Sequence, residues 1–85
     1  MPVIVYGKPS GCMKCDMTTR FLDNIGVAYE KRDITAPEYA DQLAKFQEAH
    51  LTALPIVNWY DEVYTSDFVI DKFMSLVEEV KKRNQ

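Results

Sequence analysis

The chain predicts an α/β fold of order β-α-β-α-β-β-α, a four-stranded mixed sheet flanked by three helices, and three observations carry that expectation. Val3-Ile4-Val5-Tyr6 is a short β-branched and aromatic run, the pattern of a strand covered on both faces inside a sheet. Apolar residues then recur at helical spacing in three separate stretches, and further strand-like segments fall between them. A strand, a helix and a second strand in that order make a right-handed crossover with the two strands parallel. Two close strands late in the chain pair antiparallel.

The elements follow in order. After the first strand, Lys8-Pro9-Ser10-Gly11 forms a loop. From Met13 the sequence turns helical, with Met17, Phe21, Leu22 and Ile25 on one face and Gly26 as the stop signal. Residues 27–34 set Val27 and Tyr29 against Glu30 and Arg32, which suits a strand with a wetter face or one at a sheet edge. Thr35 and Glu38 have capping-box spacing and Pro37 suits a first turn, so a second helix is expected there, continued by Tyr39, Leu43, Phe46 and His50.

Residues 54–58 read as a third strand. Pro55 belongs at its start, because proline cannot donate to a sheet ladder. Trp59-Tyr60-Asp61-Glu62 turns the chain toward a short hairpin partner, Val63-Tyr64-Thr65, although the turn contains no glycine. Ser66 or Asp67 is the expected N-cap of the last helix, whose stripe of Ile70, Phe73, Met74, Val77 and Val80 is assigned to the core.

With 85 residues the chain has the size of one small domain, residues 1–85, and 47% hydrophobic residues are enough to build a core. A net charge of −3 argues against a nucleic-acid partner, since binding to phosphate rests on clustered cations. The basic run Lys81-Lys82-Arg83 has a plainer role as complement to a helix C-terminus. The apolar start of the chain is interrupted by Gly7-Lys8-Pro9, far short of the ~18 residues of a membrane span, and no cleavable leader pattern is visible. A soluble, cytoplasmic monomer is expected.

Both cysteines lie in Cys12-Met13-Lys14-Cys15, where strand gives way to helix. In a reducing compartment two cysteines are a poor structural staple, so their close pairing points to catalysis or metal binding. Thiolate is the reactive form, and unpaired N–H groups at a helix N-terminus favour it. At this turn the first sulfur lies at the exposed helix end and the second one turn further in. Disulfide exchange requires an attacking thiolate and a resolving thiol, which assigns Cys12 as nucleophile and Cys15 as resolving residue. Lys8 and Lys14 add positive charge nearby, which solvent screens and Asp16 opposes.

Zinc in structural sites takes four ligands, whereas the chain offers one Cys-x-x-Cys, the single His50 and scattered carboxylates. No metal site within the chain is expected, and His50 reads as a polar residue near a helix end. No phosphate loop, His-x-x-x-His or serine-histidine motif is present. The aromatic and methionine residues on the helix faces are assigned to the core.

Taken together, Val5-Tyr6-Gly7-Lys8-Pro9, Cys12-Met13-Lys14-Cys15 and Leu54-Pro55-Ile56-Val57 resemble the glutaredoxin branch of the thioredoxin superfamily over essentially the whole chain. The resemblance implies a minimal thioredoxin fold. Within the branch the chain is most similar to NrdH-redoxins, glutaredoxin-like proteins that accept electrons from thioredoxin reductase and reduce ribonucleotide reductase. Met13 fits the apolar position of their motif, whereas Lys14 stands where they carry Gln. Glutathione-binding glutaredoxins show a Gly-Gly pair leading into acidic residues where this chain has Thr65-Ser66-Asp67. NrdH-redoxins carry Trp-Ser-Gly-Phe-Arg-Pro there, and Tyr64-Thr65-Ser66-Asp67-Phe68-Val69 keeps only the aromatic-hydroxyl character. The loop before Cys12 is also one residue longer, through Ser10-Gly11.

The resemblance further implies that Pro55 is cis and faces the Cys12 sulfur, leaving the Leu54 backbone to pair with an extended substrate segment as an added strand. It implies a partner-binding surface of Lys8, Met13, Lys14, Leu54, Pro55, Ser66 and Asp67. The expected activity is dithiol–disulfide exchange with no bound cofactor beyond the Cys12–Cys15 disulfide. Thioredoxin reductase, or alternatively glutathione, serves as reductant, and ribonucleotide reductase or another protein disulfide as acceptor. A further alternative is a dimer sharing an iron–sulfur cluster through Cys12 thiolates.

Overall fold

The computed structural model describes residues 2–84. The strands are β1 (Val3–Gly7), β2 (Tyr29–Asp33), β3 (Ile56–Tyr60) and β4 (Val63–Ser66). The helices are α1 (Met13–Asn24), α2 (Ala40–Glu48), entered through a single 3₁₀ turn at Pro37–Tyr39, and α3 (Ile70–Arg83). They form one sheet in the order β2-β1-β3-β4, with β1 parallel to β2 and both other pairings antiparallel. The α/β order and the mixed four-stranded sheet match the sequence expectation.

Period-two alternation sorts the central strands onto two cores. Val3, Val5, Val57 and Trp59 face Leu22 of α1 and Phe73, Val77 and Val80 of α3. Tyr6 and Ile56 face the opposite side with Ile34 and Phe46, the latter on α2. The register agrees, since Val5 sits opposite Val57 and Tyr6 opposite Ile56. Burial on both faces is why β1 lacks polar residues. β2, at the edge, carries the charged run Glu30-Lys31-Arg32-Asp33 that discourages pairing with another chain.

The hairpin turns without glycine because Asp61 takes the left-handed conformation (φ 45°), one of the few residue types that does so at modest cost. Asn58 Nδ2 braces the turn by donating to the Asp61 and Val63 carbonyls at 3.0 and 3.4 Å. The register shifts between Asn58 and Tyr60, and Trp59 at the irregularity is buried with its indole N–H donating to Thr65 Oγ1 at 2.9 Å. α1 ends as expected, with Gly26 at φ 73°.

Three local expectations are corrected. The capping box at Thr35 does not form, because Asp33 Oδ1 accepts from both the Thr35 backbone N–H and its hydroxyl, and Ala36 is the N-cap of the 3₁₀ turn. α3 is capped by neither Ser66 nor Asp67. Ser66 completes β4, and the helix begins after Val69, whose side chain makes no cap hydrogen bond. The helix-face methionines are not core: Met17 and Met74 are exposed, as is Ile70. On α1 the buried face is Cys15, Thr18 and Leu22 and on α3 it is Phe73, Val77 and Val80, and Met17, Ile70 and Met74 lie to the side of those faces at helical spacing.

Candidate active site

β1 delivers the chain to the site. Its last residue, Gly7, pairs with Asp33 of β2, and its carbonyl accepts from Ile34 N–H at 3.0 Å, so the strand stays anchored to its end. The loop 8–11 then turns back and places Cys12 as the N-cap of α1, with extended backbone angles (φ −121°, ψ 92°). The Cys12 sulfur accepts from the Cys15 backbone N–H at 3.2 Å. A sulfur thus fills the position that a Ser or Asp oxygen commonly holds, satisfying one of the unpaired N–H groups at the helix start.

Cys12 and Cys15 are joined in a disulfide with a Cα–Cα distance of 5.3 Å. The two sulfurs differ in access. Cys12 is partly exposed, while Cys15 is fully buried against Gly7, where only the absence of a side chain makes room for its sulfur. Thr18, also buried, back-bonds its hydroxyl to the Lys14 carbonyl at 2.8 Å and so leaves no polar atom unpaired beneath the first turn.

Asp67 gathers the second wall of the site. Its backbone N–H donates at 3.0 Å to the carbonyls of both Ala53 and Pro55, which flank Leu54, and the Leu54–Pro55 peptide bond is cis. Ser66 reinforces the same loop: its hydroxyl donates to the Ala53 carbonyl at 2.6 Å and accepts from Ala53 N–H at 3.0 Å. The Asp67 carboxylate accepts from Phe68 N–H at 2.7 Å and pairs with Lys14 Nζ at 2.7 Å. That lysine contact first, and the Phe68 N–H second, hold the Asp67 carboxyl below its ordinary 3.8. Asp67 also sits at φ 72°, in the left-handed region, a strained conformation that these contacts over-determine.

The structure therefore brings together Cys12, Cys15, Lys14 and Asp67, and ties Ser66, Leu54 and Pro55 to them through the Asp67 backbone. Met13 projects into solvent at 78% exposure, and Lys8 lines a shallow depression with Ile34, Leu43 and Leu54. Lys14, which the sequence reads as adding solvent-screened positive charge near Cys12, pairs with Asp67. Sequence reasoning missed Ala53, whose role is wholly backbone, and Gly7. The signal for Gly7 was a glycine closing a strand pattern, which marks close approach of another group.

Among the described residues no group of three or more His, Cys, Asp or Glu side chains is placed to hold a metal ion, and no helix is long and apolar enough to cross a membrane. The glutaredoxin family description matches residues 3–59, which span from the first residue of β1 to the penultimate residue of β3 and include both cysteines and Pro55.

The chain belongs to the glutaredoxin family. As a member with a Cys-x-x-Cys disulfide, it is a thiol–disulfide oxidoreductase. Among solved structures, a glutaredoxin from Archaeoglobus fulgidus superposes with a TM-score of 0.71 at 23% identity, covering 88% of this chain and 84% of that one, which shows the shared fold. The thioredoxin-like protein BC3987 superposes with a TM-score of 0.69 at 27% identity over 87% of this chain and 97% of that one. A point mutant of the same protein gives 0.73 at 26% identity over 89% and 94%. No protein with a curated description matches the chain.

Proposed function

We propose that this glutaredoxin-family protein works as an NrdH-redoxin-type electron donor to protein disulfides, with ribonucleotide reductase as acceptor and thioredoxin reductase as the source of electrons. The observation that carries the reading is the unequal placement of the two sulfurs, one accessible at the helix N-cap and one buried a turn below. In the reduced protein the Cys12 thiolate attacks one sulfur of the acceptor disulfide, forming a mixed disulfide and expelling the other sulfur as thiolate. The Cys15 thiolate then attacks Cys12, which closes the internal disulfide and releases the second acceptor sulfur. Two electrons have passed to the acceptor, and a flavin-linked reductase returns two to Cys12 and Cys15. The Cys15 N–H and the positive end of α1 favour negative charge on the Cys12 sulfur as the attacking thiolate of the first step.

Two features support a protein acceptor over glutathione. The Asp67 carboxylate is already engaged by Lys14 and Phe68 N–H, and the loop leading to α3 lacks the Gly-Gly pair of glutathione-binding relatives. The Leu54 backbone joins none of the described turn and loop hydrogen bonds, which supports pairing with an extended acceptor segment. The deciding experiment is a coupled assay. Turnover of an acceptor disulfide with NADPH and thioredoxin reductase, absent with glutathione and its reductase, is expected. The opposite pattern makes the protein a glutathione-dependent glutaredoxin, and a brown, dimeric protein isolated without oxygen makes it a cluster carrier.

A further inference from the structure

Gly7, the last residue of β1, lies directly against the Cys15 side chain. A Cβ built on it would lie 2.6 Å from the Cys15 sulfur and 3.3 Å from the Cys15 Cβ. The first distance is inside any tolerated non-bonded contact, so a side chain at this position and the present location of the sulfur exclude one another. The two parties are unequally able to move. Gly7 is buried, pairs with Asp33 and accepts from Ile34 N–H, so displacing its backbone means breaking the end of the β1–β2 ladder. Nor does its conformation demand glycine, for the positive-φ glycines are Gly11 and Gly26. Space for sulfur is what the missing side chain provides.

We infer that Gly7 is a positioning residue for the redox couple: by omitting a side chain it fixes the depth at which the Cys15 sulfur sits, and thereby favours the disulfide over the dithiol. The asymmetry between the two redox states follows from covalent geometry. In the disulfide the Cys15 sulfur is tethered to Cys12 and has one location, against Gly7. In the dithiol that tether is gone, and the Cys15 side chain turns to another staggered rotamer to evade a new methyl group. A methyl at position 7 therefore raises the free energy of the oxidised form more than that of the reduced form, and the couple becomes more oxidising.

The test is the redox equilibrium of the full chain and its Gly7→Ala variant against graded dithiothreitol buffers, read by thiol alkylation and mass. The expected result is a shift of tenfold or more toward the dithiol in the variant, equivalent to about 30 mV for a two-electron couple. Melting temperatures of the oxidised and reduced forms provide a second readout. The variant is expected to lose more stability when oxidised than when reduced, whereas a purely structural role would lower both forms equally. An unchanged equilibrium, or equal losses in the two forms, overturns the inference. Should Gly7→Ala fail to fold, the double variant Gly7→Ala/Cys15→Ala is expected to fold with a melting temperature only slightly below that of Cys15→Ala alone, because the sulfur is gone and only the 3.3 Å approach to the residue-15 Cβ remains. Failure of that double variant to fold also overturns it.

Discussion

Lys14 Nζ lies 2.7 Å from Asp67 Oδ1, an ion pair that bridges the interior of the Cys-x-x-Cys motif on α1 to the loop before α3. Both side chains are partly open to solvent, 56% for Lys14 and 36% for Asp67, so the contact adds little to stability and its influence falls with salt. Its consequence is that the Lys14 charge, carried between the two cysteines, is offset by a carboxylate.

Removing one charge at a time should move the reactivity of reduced Cys12 in opposite directions. Asp67→Asn leaves a free ammonium near the sulfur and is expected to shift the pH midpoint of Cys12 alkylation downward. Lys14→Gln leaves a free carboxylate and is expected to shift it upward. The double variant should return close to the starting value. Each shift is expected to be below about one pH unit, because exposed charges are screened. Alkylation rates across pH, repeated at high salt, measure all three.

The same pair predicts an acid-side effect on folding. The Asp67 carboxyl is held below 3.8 by Lys14 and by Phe68 N–H, so its folded-state value lies under its unfolded one. A depressed carboxyl contributes stability that is complete above the unfolded value and lost as pH falls through the folded value. The stability difference between the protein and Asp67→Asn should therefore be constant above about pH 5 and shrink below about pH 4. Urea unfolding of both proteins across that range checks the sign.

For the cysteines, Cys12→Ser should reduce disulfide-reductase activity to the uncatalysed background, since the accessible sulfur is the attacking one. Cys15→Ser should retain the first step and accumulate a mixed disulfide with the acceptor, visible by mass and reversed by dithiothreitol. A Cys12→Ser protein with full activity would sink the mechanism.

Ser66 holds both polar backbone groups of Ala53. Ser66→Ala is expected to cost ~0.5–1.5 kcal/mol, toward the lower end because water can reach these groups. Its more specific consequence lies in the loop that carries Leu54 and Pro55. A looser loop should raise KM for a protein acceptor with kcat little changed, measurable in steady-state kinetics.

Phe73 is completely buried, with ring centroids 4.9 Å from Trp59, 5.1 Å from Phe68 and 5.8 Å from Phe21. Truncation to Ala removes the aromatic group that joins α1, β3 and α3. A loss of ~3–5 kcal/mol is expected. A small domain holds only ~5–15 kcal/mol in total, so Phe73→Ala should show a sharply lower urea midpoint.

Much of this architecture is written locally. The β-branched run at Val3-Ile4-Val5, the helical recurrence through Phe21 and Leu22, and the stop at Gly26 each state their element within a few residues, because periodicity and backbone freedom are properties of neighbours in the chain. The Cys12-x-x-Cys15 spacing belongs to the same class, since one helical turn suffices to bring the two sulfurs together. The charged β2 likewise announced itself as a strand with a wet face.

What the sequence by itself determined, then, is the order of the elements, the mixed sheet and the redox chemistry. Tertiary structure decided everything that depends on residues distant in the chain. Ser66 left the cap of α3 to secure Ala53, far earlier in the chain. Met17, Ile70 and Met74 kept helical spacing yet stayed exposed, because the faces that meet the sheet are those of Cys15, Thr18 and Leu22 on α1 and of Phe73, Val77 and Val80 on α3. Lys14 found its counter-charge on Asp67, and Gly7 met the Cys15 sulfur. In each case a local preference was overridden or completed by a group that only the packed sheet and helices bring within a few ångströms.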